Sequence, residues 1–109
     1  MDASQVEAIA SQFLPSRWHY YYARSKLATD PLYTAVADCL DGTQAPLLDL
    51  GCGVGLLAHY CRARHIALPY HGVDNDRGKV ELARAAAGRA GLVACRFDTL
   101  DLARGIPSH

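Results

Sequence analysis

Apolar residues recur in two different rhythms along the 109-residue chain. Up to about residue 45 they come three and four apart, as helices require. Val6, Ile9, Ala10 and Phe13 form one such stripe, with Ser4 and Glu7 as a capping box at its start and Pro15 at its close. Trp18, Tyr21 and Tyr22 share one face of a second helix, and aromatic residues turned inward with basic residues outward is the expected arrangement there. Asp30-Pro31 starts a third helix, an N-cap followed by proline at the first helical position. Tyr33, Val36, Ala37 and Leu40 form its buried side, and Gly42 stands just beyond its end.

From Pro46 the rhythm changes to short apolar runs separated by helical stretches, the signature of βαβ units and a parallel sheet. Strands are expected at Leu47–Leu50, Tyr70–Val73 and Val93–Phe97. Leu57, Tyr60 and Cys61 mark one intervening helix. Val80, Ala83 and Ala87 mark the other, capped by Asp76 and stopped near Gly91. The fold class that follows is α/β: a Rossmann-like parallel sheet of about three strands, preceded by N-terminal helices. Residues 1–45 form the helical segment and residues 46–109 the sheet domain.

Each expected strand ends beside an aspartate, Asp49, Asp74 and Asp98, spaced 25 and 24 residues apart. Right-handed crossovers return all three to the carboxyl edge of the sheet, where open α/β sheets bind ligands. Directly after the first strand, Gly51, Gly53 and Gly55 alternate with Cys52 and Val54, so the main chain can come close to a ligand where a Cβ would obstruct it. A phosphate-binding P-loop needs Gly-Lys-Ser/Thr at the end of such a turn, and a dinucleotide fingerprint needs glycine at position 56, where Leu56 stands. Both phosphate readings are weakened.

The run "LLDLGCGVG", Leu47 to Gly55, resembles the first motif of class I S-adenosylmethionine-dependent methyltransferases. "YHGVDND" is similar to their second-strand acidic motif and "CRFDTL" to the segment after their third strand, so the resemblance spans roughly Pro46 to Leu100. It implies S-adenosyl-L-methionine as cofactor and a glycine turn, Gly51, Cys52, Gly53 and Gly55, lying along its methionine and ribose. It further implies that Asp74 with Asn75 binds the ribose hydroxyls, that Asp98 with Thr99 and Leu100 contacts the adenine, and that Asp49 approaches the methionine ammonium. Acids around a ligand that carries a sulfonium and an ammonium make physical sense, since opposite charges attract strongly at a partly desolvated site.

Charge and composition narrow the remaining choices. Formal net charge is zero and the sequence pI is about 6.9, so no global field draws the chain to nucleic acid or to an anionic membrane. The N-terminal "MDASQVEAIA" lacks the basic start and long apolar core of a signal peptide, and no apolar run is long enough to span a bilayer. Cys39, Cys52, Cys61 and Cys95 lack C-x-x-C spacing and read as free thiols of a reducing cytoplasm. His59 and Cys61 are two apart on a helix and point in different directions, so no metal site is expected. The basic and aromatic stretch Arg17 to Lys26 could stack on nucleic acid or reach the crevice, but packing is its commoner use.

Where the family begins a fourth strand, this sequence reads "GIPSH", Gly105 to His109. The resemblance therefore implies the cofactor-binding part of a truncated domain, inactive by itself, with its methyl acceptor and general base unidentified. The first strand would then be an exposed edge prone to pair with a second copy. Three readings stay open: a methyltransferase domain, an NAD-type oxidoreductase fragment, and a non-catalytic interaction domain using the aromatic helix.

Overall fold

A computed structural model of the chain describes residues 1–101; the expectation made for Gly105 to His109 lies outside the described residues. Helix α1 spans Ala3–Ala10 and runs into a short 3-10 turn, Ser11–Phe13. Its capping box uses Asp2 and Gln5 rather than Ser4 and Glu7: the Gln5 N–H donates to Asp2 Oδ1 at 2.8 Å, and the Asp2 N–H donates to Gln5 Oε1 at 3.1 Å. Glu7 is used elsewhere, its carboxylate accepting from the Tyr20 hydroxyl at 2.6 and 2.9 Å.

Helix α2, Arg17–Thr29, starts at Ser16, whose side chain accepts from the His19 N–H. It buries Ala23 and Leu27, with Tyr20 partly buried beside them. Those positions lie one turn apart and define the inward face, so Trp18 and Tyr21 project outward, 69% and 59% exposed. The expectation that this aromatic stripe packs inward is corrected here: small and aliphatic residues took the buried face. Helix α3, Leu32–Leu40, starts one residue later than expected, with Pro31 rather than Asp30 at its N-cap, while Asp30 Oδ1 still accepts from the Leu32 N–H at 2.9 Å.

Strands β1 (Leu47–Leu50), β2 (Tyr70–Asp74) and β3 (Cys95–Thr99) form one parallel sheet in the order β1-β2-β3. Helix α4 (Leu56–Ala63) joins the first pair and α5 (Arg77–Ala90) the second. β3 starts two residues later than the apolar pattern suggests, because Val93 is 80% exposed and Ala94 adopts a left-handed φ of 52°. Asp76 caps α5 by accepting from the Lys79 N–H, and Gly91 ends it at φ 68°.

Two packed layers hold the sheet. Tyr70 and Phe97 meet Ala58, Val80, Ala83 and Ala87, and the alanines let α5 approach the strands closely. Outside this layer, Val6, Ile9 and Phe13 join Leu56, Tyr60 and Ala86, so the N-terminal helices share a core with the βαβ units. Burial of the Phe13 side chain alone stabilises by roughly 2–3 kcal/mol. None of the described helices is long and apolar enough to cross a membrane.

Candidate functional site

The register fixes which acids meet. Asp49 pairs with Gly72 and Asp74 with Thr99, so side chains at 49, 72, 74 and 99 share one face of the sheet, the face covered by α4 and α5. Asp49 and Asp74 thus stand at the same carboxyl end and on the same side. Asp98 pairs with Val73 and belongs to the opposite face.

Between β1 and α4 the chain turns through Gly51, Gly53 and Gly55 at φ values of 72°, 58° and 85°, all in the left-handed region. The Val73 carbonyl anchors the turn by accepting from the N–H groups of Gly51 and Cys52 at 2.8 and 2.9 Å. A Cβ built at Gly51 or Gly53 would meet nothing within 4 Å, so both α-carbons border open space. At Gly55 a Cβ would lie 2.7 Å from Phe97 Cε1, which makes this glycine a packing requirement.

Asp74 ties the turn to the second strand. Its Oδ2 accepts from the Gly53 N–H at 2.9 Å and its Oδ1 from the Asp76 N–H at 2.8 Å. A carboxylate offers about four acceptor positions, so two remain for ligand hydroxyls. Asn75 follows it and is exposed. Across the sheet Thr99 is exposed, and the Leu100 N–H continues the ladder by donating to the Asp74 carbonyl at 2.9 Å.

Asp49 accepts from the Tyr70 hydroxyl at 2.5 Å. Burial raises its pKa; the Tyr70 hydrogen bond pulls it down again, and the neighbouring Asp74 carboxylate raises it. The net direction is upward. Burial, with help from Asp49 and Asp74, pushes the Cys52 thiol up to about 12, so it is held as a neutral side chain of the turn. Tyr33 on α3 is pushed up to about 12 by burial and feels the charge of Asp49, which brings α3 into the electrostatic reach of the crevice.

Asp98 faces different company. His71 Nε2 lies 2.7 Å from its Oδ2, Arg96 Nε 3.1 Å from the same oxygen, and Arg84 Nη2 3.2 Å from Oδ1. Desolvation pulls its pKa upward, but the His71 hydrogen bond and the charges of His71, Arg96 and Arg84 outweigh it and hold the carboxyl below its ordinary value. The structure therefore gathers Asp49, Gly51, Cys52, Gly53, Gly55, Asp74, Asn75, Thr99 and Leu100 at one rim, and turns the Asp98 carboxylate to the other side of the sheet.

Sequence reasoning passed over Tyr70, Tyr33 and Asp101. Alternation along the strand was the available signal for the last of these. Counting by twos from Phe97 leads to Thr99 at the end of β3, and Asp101, two residues beyond the strand, is exposed. For Tyr70 no local signal existed, because its partner is 21 residues away on another strand. A cavity of about 450 Å³ opens at the opposite, amino edge, lined by residues such as Ala58, Ile66, Tyr70 and Cys95. It is mainly apolar and no acid lines it, which is the wrong chemistry for a cationic ligand.

A family model described as the methyltransferase small domain matches residues 25–108, from the middle of α2 through the whole sheet. The chain belongs to the methyltransferase small domain family. No curated protein matches it. Among solved structures, the [4+2]-cyclase SpnF is 33% identical over 75% of this chain and 30% of its own, with a TM-score of 0.61. Coclaurine N-methyltransferase, bound to N-methylheliamine and SAH, is 24% identical over 80% of this chain and 25% of its own, at a TM-score of 0.62. The YcgJ protein of Bacillus subtilis is 23% identical over 70% and 32%, at 0.60. The last two show the fold alone. The chain spans about a third or less of the length of each of these three structures. Membership of the methyltransferase small domain family agrees with the glycine turn and paired acids already described, and with the Rossmann-like parallel sheet.

Proposed function

We propose that this chain binds S-adenosyl-L-methionine at the carboxyl edge of its sheet and supplies the cofactor-binding part of a methyltransferase whose acceptor is unidentified. The observation that carries the reading is the Asp74 carboxylate joined to the Gly53 N–H beneath a turn of three left-handed glycines, with Asp49 on the same face. The open space above Gly51 and Gly53 suits a ligand lying against bare backbone, and the acids suit one bearing hydroxyls and positive charge.

In this reading Asp74 and Asn75 take the ribose hydroxyls, and the backbone of Gly51, Cys52, Gly53 and Gly55 lies along the methionine and ribose. Asp49 takes the ammonium. Thr99 and Leu100 border the adenine together with Asp101, in place of the Asp98 carboxylate that faces away. When bound, the cofactor supplies a methyl group on a positively charged sulfur, already activated for in-line displacement. This chain's own residues then bind and orient it; holding reactants in line is a large part of what such a domain contributes.

Titration calorimetry with S-adenosylmethionine, S-adenosylhomocysteine and NAD tests the reading. The first two should bind and NAD should not; binding of NAD, or of no nucleoside by the folded chain, overturns it. Four free thiols support a cytoplasmic location. We also propose that β1 pairs with a second copy. Among the described residues its outer edge has no neighbouring strand, and Leu50 is 47% exposed. Sedimentation velocity across a concentration series should reveal dimers, and a monomer at every concentration refutes the pairing.

A further inference from the structure

Opposite Asp49 in the register stands Gly72, over which Phe97 and Cys52 pack. Tyr70, two residues earlier on β2 and on the same face of the sheet, donates from its hydroxyl to Asp49 Oδ2 at 2.5 Å. The tyrosine is itself buried, and its ring rests 5.5 Å from that of Phe97 at 57°. Its hydroxyl is therefore held at a fixed place.

The groups that face Asp49 from every packed element are Tyr70 and Asp74 on β2, Cys52 in the glycine turn, Cys61 on α4 and Tyr33 on α3. None of them is a cation. A half-buried carboxylate in such company has two outcomes, protonation or stabilisation by hydrogen bonds, and a bond from a fixed donor favours the charged form. Tyr70 is a lasting donor, because burial and the adjacent Asp49 charge both raise its own pKa.

We propose that Tyr70 is a positioning residue for cofactor binding, holding Oδ2 of Asp49 as a charged acceptor so that Oδ1 meets the ammonium of the bound S-adenosyl compound. This rests on the proposed cofactor reading, and adds to it a residue outside the glycine turn and the strand-end acids. Gly72 beside them is a packing requirement, since a Cβ there would lie 2.8 Å from Phe97 Cδ1 and 2.9 Å from Cys52 Cβ.

The experiment compares the chain with its Tyr70→Phe variant, which keeps the ring and its contact with Phe97. The Asp49 carboxyl carbon is titrated by NMR in both, and S-adenosylhomocysteine affinity is measured across the same pH range. Loss of a hydrogen bond to a charged acceptor should raise the Asp49 midpoint by about one to two pH units. The acid limb of binding should move upward by the same amount. An unchanged midpoint, or a loss of affinity equal at all pH values, overturns the proposal while the cofactor reading stands. If the unsubstituted chain binds no S-adenosylhomocysteine at any pH, it is the cofactor reading that has failed. Should Tyr70→Phe not fold, the Tyr70 hydroxyl proton is followed in the unsubstituted chain. It must titrate with the midpoint of Asp49, and independent titration overturns the proposal.

Discussion

Asp74 and Asp98 are carboxylates on neighbouring parallel strands, at the same end of the sheet and one register step apart, yet they live in different chemical worlds. Asp74 is buried, bonded to two backbone N–H groups, and faces the glycine turn. Asp98 is more exposed and is surrounded by His71, Arg84 and Arg96 on the reverse side. The single step decides it, since successive side chains on a strand point to opposite faces. Motif spacing finds the end of a strand; parity decides whether the acid there looks into the crevice.

The sharpest way to break this contrast is Asp74→Ala, which removes both the acceptor proposed for the ribose and the anchor of Gly53. Nucleoside affinity should fall on the order of 100-fold, equivalent to about 3 kcal/mol, read by calorimetry. Next comes the turn itself. Gly55→Ala forces a side chain to φ 85° and into Phe97, and should cost roughly 3 kcal/mol in urea denaturation. Gly51→Ala meets no atom and should cost only about 1 kcal/mol for its backbone.

A smaller effect concerns His59, whose Nε2 is buried without a partner and whose pKa burial lowers from 6.5 to about 4. The neutral ring is the form the fold accepts, so stability should fall as pH drops from 6.5 toward 4, while the unfolded chain takes up the proton. His59→Leu should gain about 1 kcal/mol at neutral pH and more at pH 5, read as shifted urea midpoints. The smallest change is expected for Asp98→Asn. Its folded pKa is depressed, so the stability it contributes is present above the ordinary carboxylate value and is lost as pH falls through the lower folded one. On so exposed a group this is about 1 kcal/mol or less, and cofactor affinity should not move. A large loss of binding in Asp98→Asn would erase the distinction between the two acids.

Much of the fold could be read because it rests on local signals. Leu47–Leu50 occurs where the apolar run places it, Tyr70–Val73 is extended only by Asp74, and Gly91 ends α5 as a left-handed residue should. Illegible parts depend on distant partners. The capping box moved from Ser4 and Glu7 to Asp2 and Gln5, with Glu7 engaged by Tyr20, and β3 shifted because Ala94 turns left-handed before it. In α2 the aromatic residues looked like core, but the inward face was decided by what Phe13 and Leu56 could accommodate, and Ala23 and Leu27 fit.

Arg84 gives the sheet a directional character. Its Nε donates to the Phe97 carbonyl at 2.8 Å and its Nη2 lies beside Asp98, so a guanidinium occupies the outer border of β3. A newcomer strand would have to evict that cation, whereas β1 presents no such guard among the described residues. Among the described residues the proposed strand pairing would therefore favour the β1 flank over the β3 flank. Were β1 to pair as proposed, growth would end at two molecules.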